Sequence, residues 1–286
     1  MNFLGGVQAA GINLMIAMLT DNRAIYLDLM KKCITCTQYE ELEGTLWSPS
    51  RRLQRWALRL ILPKNIRLTR MVKPEERLEG KDWPMLAQTM VGMKRLDNLQ
   101  YCVETVLTSG VPGDLIETGV WRGGCSIFMR AILKAHGVRD RIVWVADSFS
   151  GLPKPDAEKY PADAGDTYYM HAGLAISQER VSGNFQRYGL LDDQVRFLKG
   201  WFKDTLPLLP AEKLAVIRLD GDMYESTMDG LTNLYPKLQP GGFIIIDDYG
   251  CVPGCRQAVQ DYRQQHAITE PIQTIDWTGV FWQRQK

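Results

Sequence analysis

Apolar residues recur with two different periods along this chain, and the change between them divides it. From Trp83 the apolar positions Leu86, Met90, Met93, Leu96, Leu99, Val103 and Val106 repeat at helical spacing and stop at Ser109-Gly110, which predicts one helix. Beyond it, short apolar runs alternate with helical stripes. Strands are predicted at Asp114–Gly119, Arg141–Asp147, Val195–Gly200, Leu214–Asp220 and Gly242–Asp248, and helices at Ser126–His136, Ser177–Tyr188, Ser226–Leu238 and Gly254–His266. Such alternation makes βαβ units and a parallel sheet. The strand interiors Leu-Ala-Val-Ile and Phe-Ile-Ile-Ile are unbroken apolar runs, as when helices cover both faces of a sheet. Two final runs, Pro271–Ile275 and Val280–Gln283, are joined by Asp276-Trp277-Thr278-Gly279 and read as a hairpin, antiparallel by construction.

The front is patterned more weakly. Residues 24–40 look helical, and residues 51–70 set Arg51, Arg52, Arg55, Arg59, Lys64, Arg67 and Arg70 among Leu53, Trp56, Leu60 and Ile61. A membrane-surface helix has this composition, but a solvated helix face packed against the domain is the favoured reading. The segment Phe3–Leu19 is apolar but interrupted by Gly5, Gly6, Gln8, Gly11 and Asn13. It falls short of the ~20 apolar residues of a spanning helix and lacks the basic start of a signal peptide. It reads as a docked or disordered terminal segment. The expected organisation is therefore a helical extension over residues 1–82 and an α/β domain over 83–286, with no membrane partner. Apolar helices without a place in an α/β layer mark interfaces, so the extension is expected to mediate homo-oligomerisation.

Composition adds exclusions. A net charge of +1 provides no basic face for nucleic acid. Six cysteines in 286 residues make no disulfide framework, and Cys33-x-x-Cys36 has no second pair at zinc spacing. Cytoplasm is the default location.

The chemistry lies at strand ends. The first strand runs into Glu117-Thr118-Gly119-Val120-Trp121-Arg122-Gly123-Gly124-Cys125-Ser126. A strand, a glycine turn and a helix start form a ligand crevice. The spacing is not G-x-G-x-x-G, and a carboxylate two residues before the glycine would repel a pyrophosphate. It suits the sulfonium and amino group of S-adenosylmethionine. The second strand ends at Asp147, where an acid bonds ribose hydroxyls, followed by Ser148. The third ends at Lys199-Gly200-Trp201-Phe202, where an aromatic either lies near adenine or belongs to the plain core. The fourth ends in Asp220-Gly221-Asp222 and the fifth in Asp247-Asp248. Four carboxylates at one edge are costly unless a cation or a shared proton offsets them, and hard oxygen donors suit Mg²⁺. Asp229 is expected to be an ordinary surface acid. The long stretch Gly151–Gly173, with its prolines and tyrosines, reads as a lid.

Together the segments YLDLMK (26–31), TMVGMKRLDN (89–98), GDLIETGVWRGG (113–124), LDGDMYEST (219–227) and IDDYG (246–250) resemble the macrocin O-methyltransferase family, in order from about residue 24 to the end. The resemblance implies a class I methyltransferase (Rossmann-like) fold with an antiparallel C-terminal strand. It implies S-adenosylmethionine, Mg²⁺ and methylation of a sugar hydroxyl on a secondary metabolite. It implies Asp220, Asp247 and Asp248 as metal ligands and Asp222 as general base. Thr89, Met90, Glu117, Thr118, Gly119, Trp121, Gly123, Gly124, Ser126, Asp147, Ser148, Gly200 and Trp201 would line the cofactor, with Met85, Tyr169, Met170 and His171 toward the acceptor. The chain departs from the family at residues 34–39, where it reads ITCTQY, and in its basic front segment. A metal-dependent glycosyltransferase would explain D-x-D but neither Glu117 nor Asp247-Asp248. A nicotinamide oxidoreductase lacks its glycine motif. An inactive scaffold is opposed by the intact acid set.

Overall fold

The computed structural model describes residues 22–285 except 48, 64, 65 and 67; the segment Phe3–Leu19, and Lys64 and Arg67 of the basic run, lie outside the described residues. Helix α1 covers residues 22–35. Its Leu27, Met30 and Ile34, one helical face, are buried in the same core cluster as the helices beside the main sheet. Cys36 turns out of the helix with φ +61, and a 3-10 stretch, Thr37–Leu42, leads to strand β1 (Gly44–Leu46). Helix α2 (Arg52–Ile61) follows, then β2 (Thr69–Met71), which pairs antiparallel with β1. The basic run thus forms the expected helix over Arg52–Ile61, but among the described residues its apolar side is not packed on the domain. Leu53 is 81% exposed and Ile61 75%, and Trp56 and Leu60 are exposed with them. β1 and β2 close the excursion at its base, and the described residues leave these side chains uncovered.

A second departure concerns the helix predicted from Trp83. After α3 (Pro74–Glu79), helix α4 spans only Met93–Thr108, and residues 81–92 are irregular. Their backbone groups are engaged elsewhere. The buried Glu43 carboxylate accepts from the N–H groups of Met85 (2.5 Å), Leu86 (3.1 Å) and Ala87 (2.9 Å). The Arg122 guanidinium donates to the carbonyls of Met85 (2.9 Å) and Ala87 (2.8 Å). Gln88 bonds Ile34 on one side and Gly124 on the other. Tertiary partners outcompete a helical ladder whose nucleation is itself unfavourable. The buried stripe Leu96, Leu99, Val103 and Val106 of α4 is as expected.

The rest alternates: β3 (Asp114–Thr118), α5 (Gly124–Ala135), β4 (Val143–Asp147), α6 (Gln178–Arg187), β5 (Val195–Lys199), α7 (Phe202–Thr205), β6 (Leu214–Leu219), α8 (Tyr224–Leu234), β7 (Leu238–Ile246), α9 (Pro253–Gln265), β8 (Gln273–Thr274) and β9 (Val280–Gln283). The sheet order is β5-β4-β3-β6-β7-β9-β8. β3 to β7 are parallel, and β9 inserts antiparallel between β7 and β8. This is the class I methyltransferase fold. Side chains alternate between two cores: Leu115, Phe243 and Ile245 on the α1–α4–α5–α6 face, Ile116, Ile244 and Ile246 on the α8–α9 face. The order reverses between β3 and β6, the switch point where such sheets open a crevice. Among the described residues no helix is long and apolar enough to cross a membrane.

Glu43→Gln replaces one acceptor oxygen with an amide donor facing backbone N–H groups. It should destabilise the protein by roughly 1–3 kcal/mol, read as a lower urea midpoint at unchanged slope.

Candidate active site

Register sets the site. Thr118 pairs with Leu219, and Leu219 with Ile246, so the next residues, Gly119, Asp220 and Asp247, stand level at the carboxyl edge. The ladder continues through them: Asp220 N donates to Thr118 O and Asp247 N to Leu219 O, each at 2.9 Å. At Gly119 a Cβ would sit 1.6 Å from the Asp220 carbonyl oxygen, and φ is +80; only glycine allows the two strand ends to approach this closely. Trp121 (φ +46) and Asp222 (φ +58) take the same left-handed region without being glycine, the kind of local strain that collects at functional sites.

A cavity of about 350 Å³ opens here. Of the expected cofactor residues, Met90, Gly119, Trp121, Asp147, Ser148, Gly200 and Trp201 line it, together with Asp220 and Asp222. The Asp147 carboxylate accepts from the N–H of Val120 (2.8 Å) and Phe149 (2.7 Å), which ties the glycine turn to β4. The others stand behind this wall. Thr118, Gly124 and Ser126 are buried and Gly123 caps α5, while Thr89 packs where a Gly124 Cβ would be, 2.6 Å from it. Glu117 is also buried, and its carboxylate meets Arg218 Nη1 at 2.7 Å and the Ser126 hydroxyl. In this structure its charge is matched from within the protein.

The acids converge as expected. Carboxylate oxygens of Asp220, Asp247 and Asp248 lie within 4.8 Å of one another, and Asp248 Oδ2 accepts from the Asp222 backbone N–H at 3.0 Å. Burial first, then mutual repulsion, pushes Asp220 up to about 6 and Asp222 to about 8, and Asp248 well above the usual carboxylate range. Asp247 differs. Its desolvation is outweighed by Arg218 and Arg95, which hold it below its ordinary value. Asp229 is a correction to the sequence reading: it lines the cavity, and burial lifts it to about 6.

The start of the lid, Gly151, Leu152, Pro153, Lys154 and Asp156, lines this cavity, whereas the expected acceptor residues Met85, Tyr169, Met170 and His171 do not. Tyr168–Met170 form a 3-10 turn in which His171 stacks near Trp83, ring centroids 5.5 Å apart, and near Tyr168. Met85 is held by the Glu43 clamp. The lid is anchored by Asp163, whose carboxylate caps α8 by accepting from Tyr224 N (2.6 Å) and Glu225 N (3.0 Å), and by Trp121 Nε1 donating to Gly173 O at 2.9 Å.

Sequence reasoning missed four organising residues: Glu43, Arg95, Asp163 and Arg218. Only Arg218 carried a signal. It interrupts a strand that is otherwise wholly apolar, and a buried arginine demands anionic partners. It finds three: Glu117, Asp220 (2.8 Å) and Asp247.

Comparison with known proteins identifies the family. The family model described as Macrocin-O-methyltransferase (TylF) matches residues 23–284. The chain is 55% identical over 268 residues to the 8-demethyl-8-(2,3-dimethoxy-alpha-L-rhamnosyl)-tetracenomycin-C 4'-O-methyltransferase of Streptomyces olivaceus, covering 93% of this chain and 94% of that one. It is 59% identical over 213 residues to the mycinamicin III 3''-O-methyltransferase of Micromonospora griseorubida, covering 73% and 84%. The solved structure of the O-methyltransferase NovP superposes with a TM-score of 0.80 at 49% identity, covering 92% of this chain and all of that one.

Arg218→Met should cost about 3–5 kcal/mol, as when one partner of a buried ion pair is removed, and the loss should depend on pH. Burial raises Glu117 from 4.5 to about 7, so it is charged and needs Arg218 above that pH and is protonated below it. Urea melts of the two proteins should differ more at pH 8 than at pH 5.5; an equal deficit at both would contradict this electrostatic account.

Proposed function

The chain belongs to the macrocin O-methyltransferase family and is an O-methyltransferase drawing on S-adenosylmethionine, and from this we propose that it methylates a sugar hydroxyl on an antibiotic-type secondary metabolite with the help of Mg²⁺. The observation that carries the reading is the acid row. Asp220, Asp247 and Asp248 offer oxygens within 4.8 Å of one another, and Asp220 and Asp222 face the cavity of the glycine turn. The rhamnosyl group and 4'-O position in one relative's name, and the 3''-O position in the other's, support a sugar as acceptor.

The donor set fits a hard dication: three carboxylates, no sulfur or imidazole. When bound there, Mg²⁺ supplies Lewis acidity and orientation to the acceptor oxygens. The protein does the rest. Gly119 lets the backbone lie against the donor, and Asp147 with Ser148 and Trp201 marks the nucleoside side of the cavity. Asp222, which lines the same cavity, accepts the hydroxyl proton as the oxygen takes the methyl carbon and the sulfonium becomes a neutral thioether. A carboxylate is a weak base for an alcohol, so positioning matters: holding two reactants at attack distance is worth ~7–11 kcal/mol. The exposed apolar residues of α2, Leu53, Trp56, Leu60 and Ile61, support self-association through the front segment; a monomer by light scattering at micromolar concentration would refute it.

Chelation should abolish activity and Mg²⁺ should restore it. Asp222→Asn should lower turnover by roughly 10²–10⁴-fold while keeping cation and donor binding, whereas Asp220→Asn should lose the cation. Exposed Asp193 is the suitable control, since Asp229 lines the cavity. Acids raised by the fold destabilise it as pH climbs from their unfolded value, near ~3.9, through 6 and 8 for Asp220 and Asp222. Mg²⁺ relieves that repulsion once their protons leave. The rise in melting temperature on adding Mg²⁺ should therefore be larger at pH 8 than at pH 6. Activity surviving exhaustive chelation would overturn the metal reading.

A further inference from the structure

Asp247 belongs to the carboxylate trio, yet it is the one whose both oxygens are engaged from behind. Oδ1 accepts from Arg218 Nη2, and Oδ2 from Arg95 Nη1 at 2.5 Å. Arg218 is part of the strand row. Arg95 arrives from the first turn of α4, is 6% exposed, and is gripped in turn by parts of the chain distant in sequence. Its Nε donates to Asp276 Oδ2 at 3.0 Å, in the turn between β8 and β9, and its Nη2 to the Gly80 carbonyl at 3.2 Å, at the end of α3. The Trp277 ring lies 5.9 Å from the guanidinium, and its indole N–H donates to Glu79 O at 2.9 Å. Space is tailored to this arrangement: a Cβ at Gly80 would come within 2.5 Å of Arg95 Nη2, and one at Gly279 within 3.1 Å of its Cδ.

We propose that Arg95, held by Asp276, is a positioning residue that fixes the Asp247 carboxylate for cation binding and so tunes metal affinity from outside the ligand set. The inference rests on the metal reading above. Its physical basis is that a carboxylate already oriented by buried partners gives up little freedom when it meets a cation, and loss of such outer partners typically weakens metal binding about 10–100-fold. Electrostatics alone pulls the other way, because a nearby guanidinium repels a dication. Two variants that keep a positive charge beside Asp247 separate these effects. Arg95→Lys keeps the charge and loses the planar fork that bridges Asp247, Asp276 and Gly80. Asp276→Asn is milder. Asp276 Oδ1 accepts from Thr278 N and Gly279 N, which the Asn oxygen can still do, while its amide turns a donor toward Arg95 Nε.

The test is Mn²⁺ titration calorimetry on the full chain, with S-adenosylhomocysteine affinity and the melting temperature in chelator measured alongside. Arg95→Lys should weaken Mn²⁺ about 10–100-fold and Asp276→Asn in the same direction, with S-adenosylhomocysteine affinity unchanged. If Arg95→Lys fails to fold, Asp276→Asn decides alone. Variants that bind Mn²⁺ as tightly as the parent, even with a lower melting temperature, would reduce Arg95 to a packing role and overturn the inference while leaving the metal reading in place. A parent protein that binds no Mn²⁺ would overturn both.

Discussion

Five carboxylates, those of Glu117, Asp220, Asp222, Asp247 and Asp248, are gathered at one edge of the sheet, and two buried guanidiniums, Arg218 and Arg95, are what the fold supplies against them. That imbalance governs the site. Asp247, which meets both guanidiniums, is held below its ordinary value, whereas Asp222 and Asp248, which have no such ion pair, are pushed up by burial and mutual repulsion. Burying acids so incompletely compensated is unfavourable for stability. It would suit the positive charge that the proposed dication and the sulfonium of the donor would bring.

The front of the chain is built around the same edge. Glu43 and Arg122 grip residues 85–87 from either side, which lays Met90 along the cavity and Thr89 against Gly124. α1 contributes Leu27, Met30 and Ile34 to the main core, so this part of the extension is continuous with the α/β layer. Among the described residues the β1–α2–β2 excursion differs, with the apolar side chains of α2 exposed. The irregular segment 81–92 thus links the extension to the glycine turn, and Gly80 links it to Arg95 and the acid row.

Much of this was legible in the sequence because it depends on local rules. Strand and helix periods, the glycine turn after a buried strand and acids at strand ends follow from backbone geometry and side-chain size, and the central elements fall within a few residues of their expected bounds. The β9 insertion beside β7, and the irregular course of residues 81–92, were not legible. Each turns on partners far along the chain: β7 for β9, Glu43 and Arg122 for residues 85–87. A periodic apolar pattern cannot register a competitor for its backbone hydrogen bonds.

The same division holds for the site. Residue type and spacing alone determined which acids would meet, because parallel strands in register bring their ends level. What those acids do with their charge was decided by the tertiary structure. Burial raises a carboxyl and a guanidinium at contact distance lowers it, so Asp247 and Asp248, neighbours in sequence, are driven in opposite directions. The difference comes from Arg95 and Arg218, and only packing α4 and β6 around one point brings both guanidiniums to Asp247.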